Sequence, residues 1–480
     1  MTETLLGPEH RGLTFATMTT IAVAAYNNMS VSAALPAIGD DLGNLSLLPW
    51  IVTIELITAA IAVLAVGPII DSVGTQAVFR VSLVGFVITC VLCAFAPNIA
   101  TLIVARGLQG LASGAIIANV MTAVGLGVPE ALRPRSFAAN SSVWGIMGVG
   151  GPAIAALVLT FANWSWIFLV NLPVAAFAGI VGWNAFPGPT EDSIAAPADK
   201  RGLLIVIAFT LLSLGAVSSF VWWTPIAVVL SGGFVWLYVR HEPTVEPPLL
   251  RLRHITSSTY RTLHVTSFLV ITSAIAANTF LPIYVKGARG ASAAEAAFAV
   301  VFLTLGWTVG AFASSRVAEL WKGELALLVS AALLSAASTV AATAVWLELS
   351  LWFVFVAFSA MGIGLGGVSN SGLGLLQEKA IPKEMGRLNS AHQFIRTLGF
   401  TYGAALGGAV LFGVVGARLG DVEVVRSLLG DDDVVADEAI VEALAEGFAW
   451  STTLAAGITY LALAFALRLN RESRLGEPVT

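Results

Sequence analysis

The sequence predicts an all-α membrane protein of fourteen transmembrane helices, two six-helix bundles with a helix pair inserted between them. Three observations carry this. First, 57% of residues are hydrophobic and 11% charged, with a mean hydropathy of +0.87, whereas soluble domains carry roughly 25% charged residues. Second, fourteen apolar runs are long enough to cross about 30 Å of hydrocarbon at about 1.5 Å per helical residue. Third, the 24 lysines and arginines alternate between crowded and nearly empty segments in step with those runs.

In chain order, Met1 to Arg11 is polar without a cleavable leader pattern, and the first apolar run is already long enough to span. The first half has runs near 13–36, 48–67, 78–96, 99–126, 136–161 and 165–186. Two follow near 202–220 and 225–239, then six near 260–284, 292–314, 325–346, 350–376, 388–415 and 448–467. They are continuous rather than alternating, so helices and not a closed barrel must satisfy the backbone. With the N-terminus inside, eighteen cations fall on inward segments and Lys286, Arg289, Arg418 and Arg426 face out, so both termini are expected in the cytoplasm. Arg106 and Arg396 stay within the membrane.

The polar linkers Pro187 to Arg201 and Arg240 to Arg261 bracket the middle pair, so the expected domains are 1–190, 191–255 and 256–480. Each six-helix half has a short inward loop between its second and third members, Gly67 to Arg80 and Gly310 to Gly323. Paired bundles of this kind are the architecture of rocking secondary transporters. One outward segment, about 416–447, is strongly acidic, with Asp421, Glu423, Asp431, Asp432, Asp433, Asp437, Glu438, Glu442 and Glu446. It reads as a solvated cap or as an attractor for cations or a partner, with a short surface helix over Ala436 to Phe448.

The most informative stretch is Leu102 to Gly114, LIVARGLQGLASG, where Arg106 and Gln109 interrupt an apolar run. A guanidinium in hydrocarbon is costly unless a carboxylate or an aqueous cavity receives it, so it marks a pathway. Leu102, Arg106, Gln109 and Gly110 resemble the helix-four motif of the major facilitator superfamily, and the six-plus-two-plus-six pattern resembles its fourteen-helix drug:proton antiporter branch. The resemblance covers nearly the whole chain and implies a major-facilitator-type fold. In helix five, Gly148, Gly150, Gly151 and Pro152 resemble the antiporter motif, with Ala155 and Ala156 in place of its following glycines. Gly67, Asp71 and Gly74 match the family's gate motif, although Ser72 replaces an arginine and the basic cluster shrinks to Arg80.

Two departures matter. The branch commonly has an aspartate in helix one shortly before Ala-Leu-Pro; here Ala34, Leu35 and Pro36 are kept, but the position is Asn27. An amide cannot carry a proton cycle. Helix two instead holds Glu55, where the branch has an aromatic. Counted from their outer ends, Glu55 and Arg106 each lie about seven residues deep, roughly 10 Å, with Asn27 and Asn28 near the same level. A carboxylate that alternately meets and leaves an arginine changes its proton affinity. Glu55 is therefore the expected proton carrier and Arg106 its partner, against the alternative of a static ion pair joining helices two and four.

In the second half Asn389, His392 and Arg396 recur at helical spacing, with Gln393 beside them. Arg396, Gly399 and Gly403 resemble the family's eleventh-helix pattern. Arg396 is expected to meet a substrate anion or backbone carbonyls, and His392 to relay protons or to hold a structural hydrogen bond. Asn140, Ser141, Ser142, Trp144, Asn171, Asn278, Tyr284 and Asn370 are candidates to line a mostly apolar cavity or to bridge helices. Cys90 and Cys93 read as packing residues, and five His and two Cys form no metal-ligand pattern. The segment MGIGLGGVSNSGLG lacks the strand and Lys-Ser/Thr of a nucleotide loop. The expected protein is not an enzyme and needs no cofactor. It exports drug-like or amphipathic small molecules across the inner membrane in exchange for protons, with the bilayer and no nucleic acid as partner and no indication of oligomeric state. The alternatives are an exporter of a defined metabolite or lipid, and a transport-inactive scaffold or sensor.

Overall fold

The computed structural model describes residues 4–43, 47–189, 199–218, 224–419 and 438–475, and no strand occurs among them. Its helices are α1 Arg11–Leu42, α2 Leu48–Ala94, α3 Ile99–Gly127, α4 Arg133–Phe161, α5 Ser165–Leu169, α6 Asn171–Gly182, α7 Lys200–Ser218 and α8 Thr224–His241. Then follow α9 Arg253–Thr256, α10 Ser258–Asn278, α11 Leu281–Ile283, α12 Ala293–Leu320, α13 Gly323–Trp346, α14 Leu351–Glu378, α15 Met385–Leu419 and α16 Glu438–Leu475. Among the described residues, ten helical stretches are long and apolar enough to cross a membrane; α1, α7 and α8 lie outside this set. The chain is thus a multi-pass helical membrane protein.

The chain divides into two compact units. Unit 1 comprises Met1–Ser213, Val228–Thr256 and Leu376–Phe394; unit 2 comprises Leu214–Ala227, Ser257–Leu375 and Ile395–Thr480.

In unit 1 the loop expected over Gly67 to Arg80 is almost absent. Helix α2 runs 47 residues and leaves helical geometry inside only at Gly74, with φ 82° and ψ 163°. A side chain there would suffer twice, from the left-handed φ and from the backbone of Gly188 and Pro189 against the built Cβ. The break is stitched by Thr75 Oγ1 donating to Pro187 O at 2.7 Å and Asn119 Nδ2 donating to Thr75 O at 3.0 Å. Helix α3 starts cleanly because Asn98 accepts from the Thr101 backbone N–H at 2.9 Å. Helices α2 and α3 then approach closely: a Cβ on Gly110 or Gly114 would collide with the backbone of Glu55 or Ala59. Val31, Ile51, Leu102, Ile167 and Phe168 belong to one apolar cluster of this unit.

In unit 2, Ser292 caps α12 in a reciprocal box with Glu295, which accounts for the one acid expected near an outer helix end. Asn370 Nδ2 donates to Ala311 O and Ser314 Oγ, both at 3.0 Å, binding α14 to α12. The short surface helix expected over Ala436 to Phe448 is instead the first part of α16, a single 38-residue helix. No proline interrupts it, and Gly447 is kept small by Leu411 of α15, whose carbonyl a Cβ would meet at 2.8 Å. Most of the acidic segment, residues 420–437, lies outside the described residues; at its edges Arg418 Nη2 pairs with Glu446 Oε2 at 2.6 Å.

Candidate functional site: a buried ion pair and a gate cluster

Glu55 and Arg106 each stand seven residues beyond the first residue of their helices, Leu48 and Ile99, and their side chains are each 1% exposed. Arg106 Nη2 lies 3.6 Å from Glu55 Oε2. That separation is electrostatic contact rather than a hydrogen bond. The directional bonds of Arg106 go elsewhere: Nε donates to Ile51 O at 3.1 Å, and Nη1 to Gln109 Oε1 at 2.6 Å and Asn27 Oδ1 at 3.3 Å. Its guanidinium carbon also lies 6.0 Å from the centre of the Phe168 ring.

The two oxygens of Glu55 differ. Oε1 accepts from Ser113 Oγ at 2.8 Å, while Oε2 has no hydrogen-bond donor. Oε2 thus faces the Arg106 guanidinium without a hydrogen bond of its own. Nδ2 of Asn27 is buried and unbonded on the same cluster. Gln109 extends it to the thiols, donating to Cys90 Sγ at 3.1 Å and accepting from Cys93 at 3.7 Å.

Sequence reading missed Ser113 and this use of the cysteines. Ser113 was findable: with Arg106 and Gln109 it follows the i, i+3, i+7 face of α3. The cysteines were not, because only packing of the second arm of α2 brings them to Gln109.

The gate-motif residues form other contacts of unit 1. Asp71 Oδ1 accepts from the Gly386 N–H at 2.7 Å, and Oδ2 accepts from the Arg387 N–H at 3.2 Å and from Arg387 Nη1 at 2.9 Å. An anion here meets the positive end of α15 as well as a guanidinium. Gly67 lies against Ser390, whose side chain a Cβ would meet at 2.8 Å. Arg80, by contrast, donates to Trp183 O through Nε at 3.0 Å and Nη2 at 2.9 Å, and to Asn184 Oδ1 at 2.9 Å. Gln377 completes the region, donating to Met121 O and Asn389 Oδ1, both at 2.9 Å. Neither Gln377 nor Arg387 was singled out from sequence, since no local rule links residue 71 or 121 to the 377–390 segment.

The remaining candidates are divided between the two units. Asn28 Nδ2 donates within its own helix to Ala24 O at 3.2 Å. Asn140 is buried with neither side-chain polar atom hydrogen-bonded; Trp144 and Asn278 are half-buried. Asn370 bridges helices as described, and His392 is fully buried in unit 1. In unit 2 the Arg396 guanidinium lies 5.9 Å from the centre of the Trp307 ring, which stacks on Phe400. Of the antiporter motif Gly151 sits at a tight seam, against Met29 of α1. Gly148 is half-buried, Gly150 has open space and Pro152 is exposed. Among the described residues no group of His, Cys, Asp and Glu could hold a metal ion.

A family profile described as Major Facilitator Superfamily matches residues 17–404. The chain is 26% identical over 398 residues to the multidrug transporter protein MdtP of Bacillus subtilis, covering 81% of this chain and 73% of that one. It is 25% identical over 406 residues to the multidrug efflux pump SdrM of Staphylococcus aureus, covering 83% and 90%. The fold is similar to the crystal structure of the human organic anion transporter MFSD10, with a TM-score of 0.67, 15% identity, and coverage of 96% and 99%.

Proposed function

Because the chain belongs to the Major Facilitator Superfamily, we propose that this membrane transporter is a proton-coupled antiporter of the fourteen-helix branch that exports drug-like, amphipathic small molecules. The helix count is supported by the ten apolar stretches, by the break at Gly74 that makes two arms of α2, and by α1, α7 and α8. The domain reading of 1–190, 191–255 and 256–480 goes with that count. Efflux of drug-like solutes is supported by what the named bacterial relatives are called.

One observation carries proton coupling: Glu55 Oε2 is buried beside Arg106 with no hydrogen-bond donor of its own. When Glu55 is charged, the pair holds α2 to α3. When Glu55 takes a proton on Oε2, the attraction ends and Arg106 keeps only its dipolar partners Gln109, Asn27 and Ile51 O. The two protonation states thus favour different packing of the same helices, as alternating access requires. The fully buried state described here is the closed end of that cycle; proton entry needs the other.

The extensive bonding of Arg106 also favours a second reading, a static pair that only fastens the bundle. The cation asymmetry supports an orientation with both termini inside, which goes with an inner-membrane location. Purified protein in liposomes tests the whole reading, with ethidium as the amphipathic probe. An imposed proton gradient is expected to drive ethidium exchange, and ethidium to release protons in return. Gradient-independent behaviour would leave the static pair.

A further inference from the structure

The inserted helix pair ends in a segment whose fastening has a definite target. After α8 the sequence runs His241 to His254, HEPTVEPPLLRLRH. Pro247 and Pro248 lack N–H groups and keep the chain out of a helix, so its carbonyls and side chains are free for distant partners.

Those partners are specific. At the near end Tyr238 Oη accepts from the Leu250 N–H at 2.7 Å and donates to Leu250 O at 3.0 Å. Asp199, just before α7, accepts from His241 Nε2 at 2.7 Å, the Gly202 N–H at 2.8 Å and the Leu249 N–H at 3.1 Å. At the far end Pro248 O accepts from Arg387 Nε at 3.2 Å, the same guanidinium whose Nη1 holds Asp71. Glu384, immediately before α15, has a side chain only 8% exposed and is held by three side chains of the segment. Arg253 Nη2 reaches both its oxygens at 2.6 Å, His254 Nε2 reaches Oε2 at 2.8 Å and Arg251 Nε reaches Oε1 at 3.3 Å. All these residues belong to unit 1.

We propose that segment 238–256 is a strap that positions the first turn of α15 on the gate aspartate, so that the inserted helix pair takes part in gating. Arg387 is the junction, one guanidinium shared between gate and strap. Glu384 is the anchor, and Tyr238, Arg253 and His254 are positioning residues acting through it. A pair of helices that were only a lipid-facing brace would have no need of a buried carboxylate bound by three side chains of its exit segment. The inference rests on the transporter reading above for what the movement serves.

The test reads the gate without transport. Ser390 is fully buried against Gly67, so Ser390→Cys reports separation of α15 from α2 through its reaction rate with N-ethylmaleimide, with labelled peptides mapped by mass spectrometry. In that background Glu384→Gln and Tyr238→Phe are each expected to speed labelling at residue 390 by about fivefold or more, the lower end of ordinary intersite coupling. Arg253→Lys, which keeps the charge, should label more slowly than Arg253→Gln. Wild-type labelling rates in both Glu384→Gln and Tyr238→Phe, with folded monodisperse protein, overturn the strap. If Glu384→Gln does not fold, Tyr238→Phe decides alone. Labelling needs no solute or gradient. A protein that exchanges no ethidium for protons yet shows these rate changes would therefore refute the antiport reading and leave the strap standing.

Discussion

Replacing Glu55 by glutamine changes one charge while keeping shape and the Ser113 hydrogen bond. At the observed 3.6 Å, two unit charges attract by about 4–5 kcal/mol at an effective dielectric constant near 20. Removing one buried partner typically costs about 3–5 kcal/mol, because the other charge stays desolvated. Gln109, Asn27 and Ile51 O continue to receive Arg106, so the loss in Glu55→Gln should sit at about 2–3 kcal/mol, a lower melting temperature but a folded protein. Its transport phenotype should be selective. In liposomes, ethidium exchange driven by a proton gradient is expected to fall to background, while ethidium equilibration down its own gradient persists. Proton release on adding ethidium should vanish as well. Glu55→Asp, which keeps a titratable group one methylene back, should recover part of both. Full gradient-driven exchange by Glu55→Gln would refute the assignment of Glu55 as carrier and leave the pair as a fastening between α2 and α3.

Packing and charge elsewhere give two further predictions. Gly114→Leu drives a side chain into the Ala59 backbone and is expected to destabilise the protein by about 1–3 kcal/mol, read as lower thermal stability in detergent. The same change at Gly150, whose Cβ position is open, should be nearly silent. Asp199 is pushed up by burial but held down more strongly by His241 and by the Gly202 and Leu249 N–H groups, leaving its carboxyl below the ordinary value of 3.8. A depressed folded value means its contribution is complete above the unfolded value and is lost as pH falls through the folded one. Wild type should therefore exceed Asp199→Asn in melting temperature at neutral pH, and the gap should close only below about pH 3.8. A gap that closes near neutral pH would locate the titration elsewhere.

The class of this protein and the level of its central charges were legible from residues alone. Apolar run lengths and the placement of cations follow from the thickness and dielectric of a bilayer, which act on each segment separately. Helical rise is fixed too, so counting seven residues into two helices puts Glu55 and Arg106 at one depth without knowing the packing. Boundaries read less well where a single residue decided them. Gly74 turns an expected loop into one broken helix because Gly188 and Pro189 press against it, and no rule of composition reports such a neighbour.

Tertiary structure alone decided the partners. Which donor reaches Glu55 Oε1, which carbonyl Arg106 takes, and why Oε2 is left bare depend on helix rotation, set by close contacts such as Gly110 and Gly114 on α2. The contact of Asp71 with Arg387 spans 316 residues of sequence, and that of Glu384 with Arg253 spans 131. Hydropathy and periodicity are sums over neighbours in the chain, whereas a buried ion pair is chosen by neighbours in space.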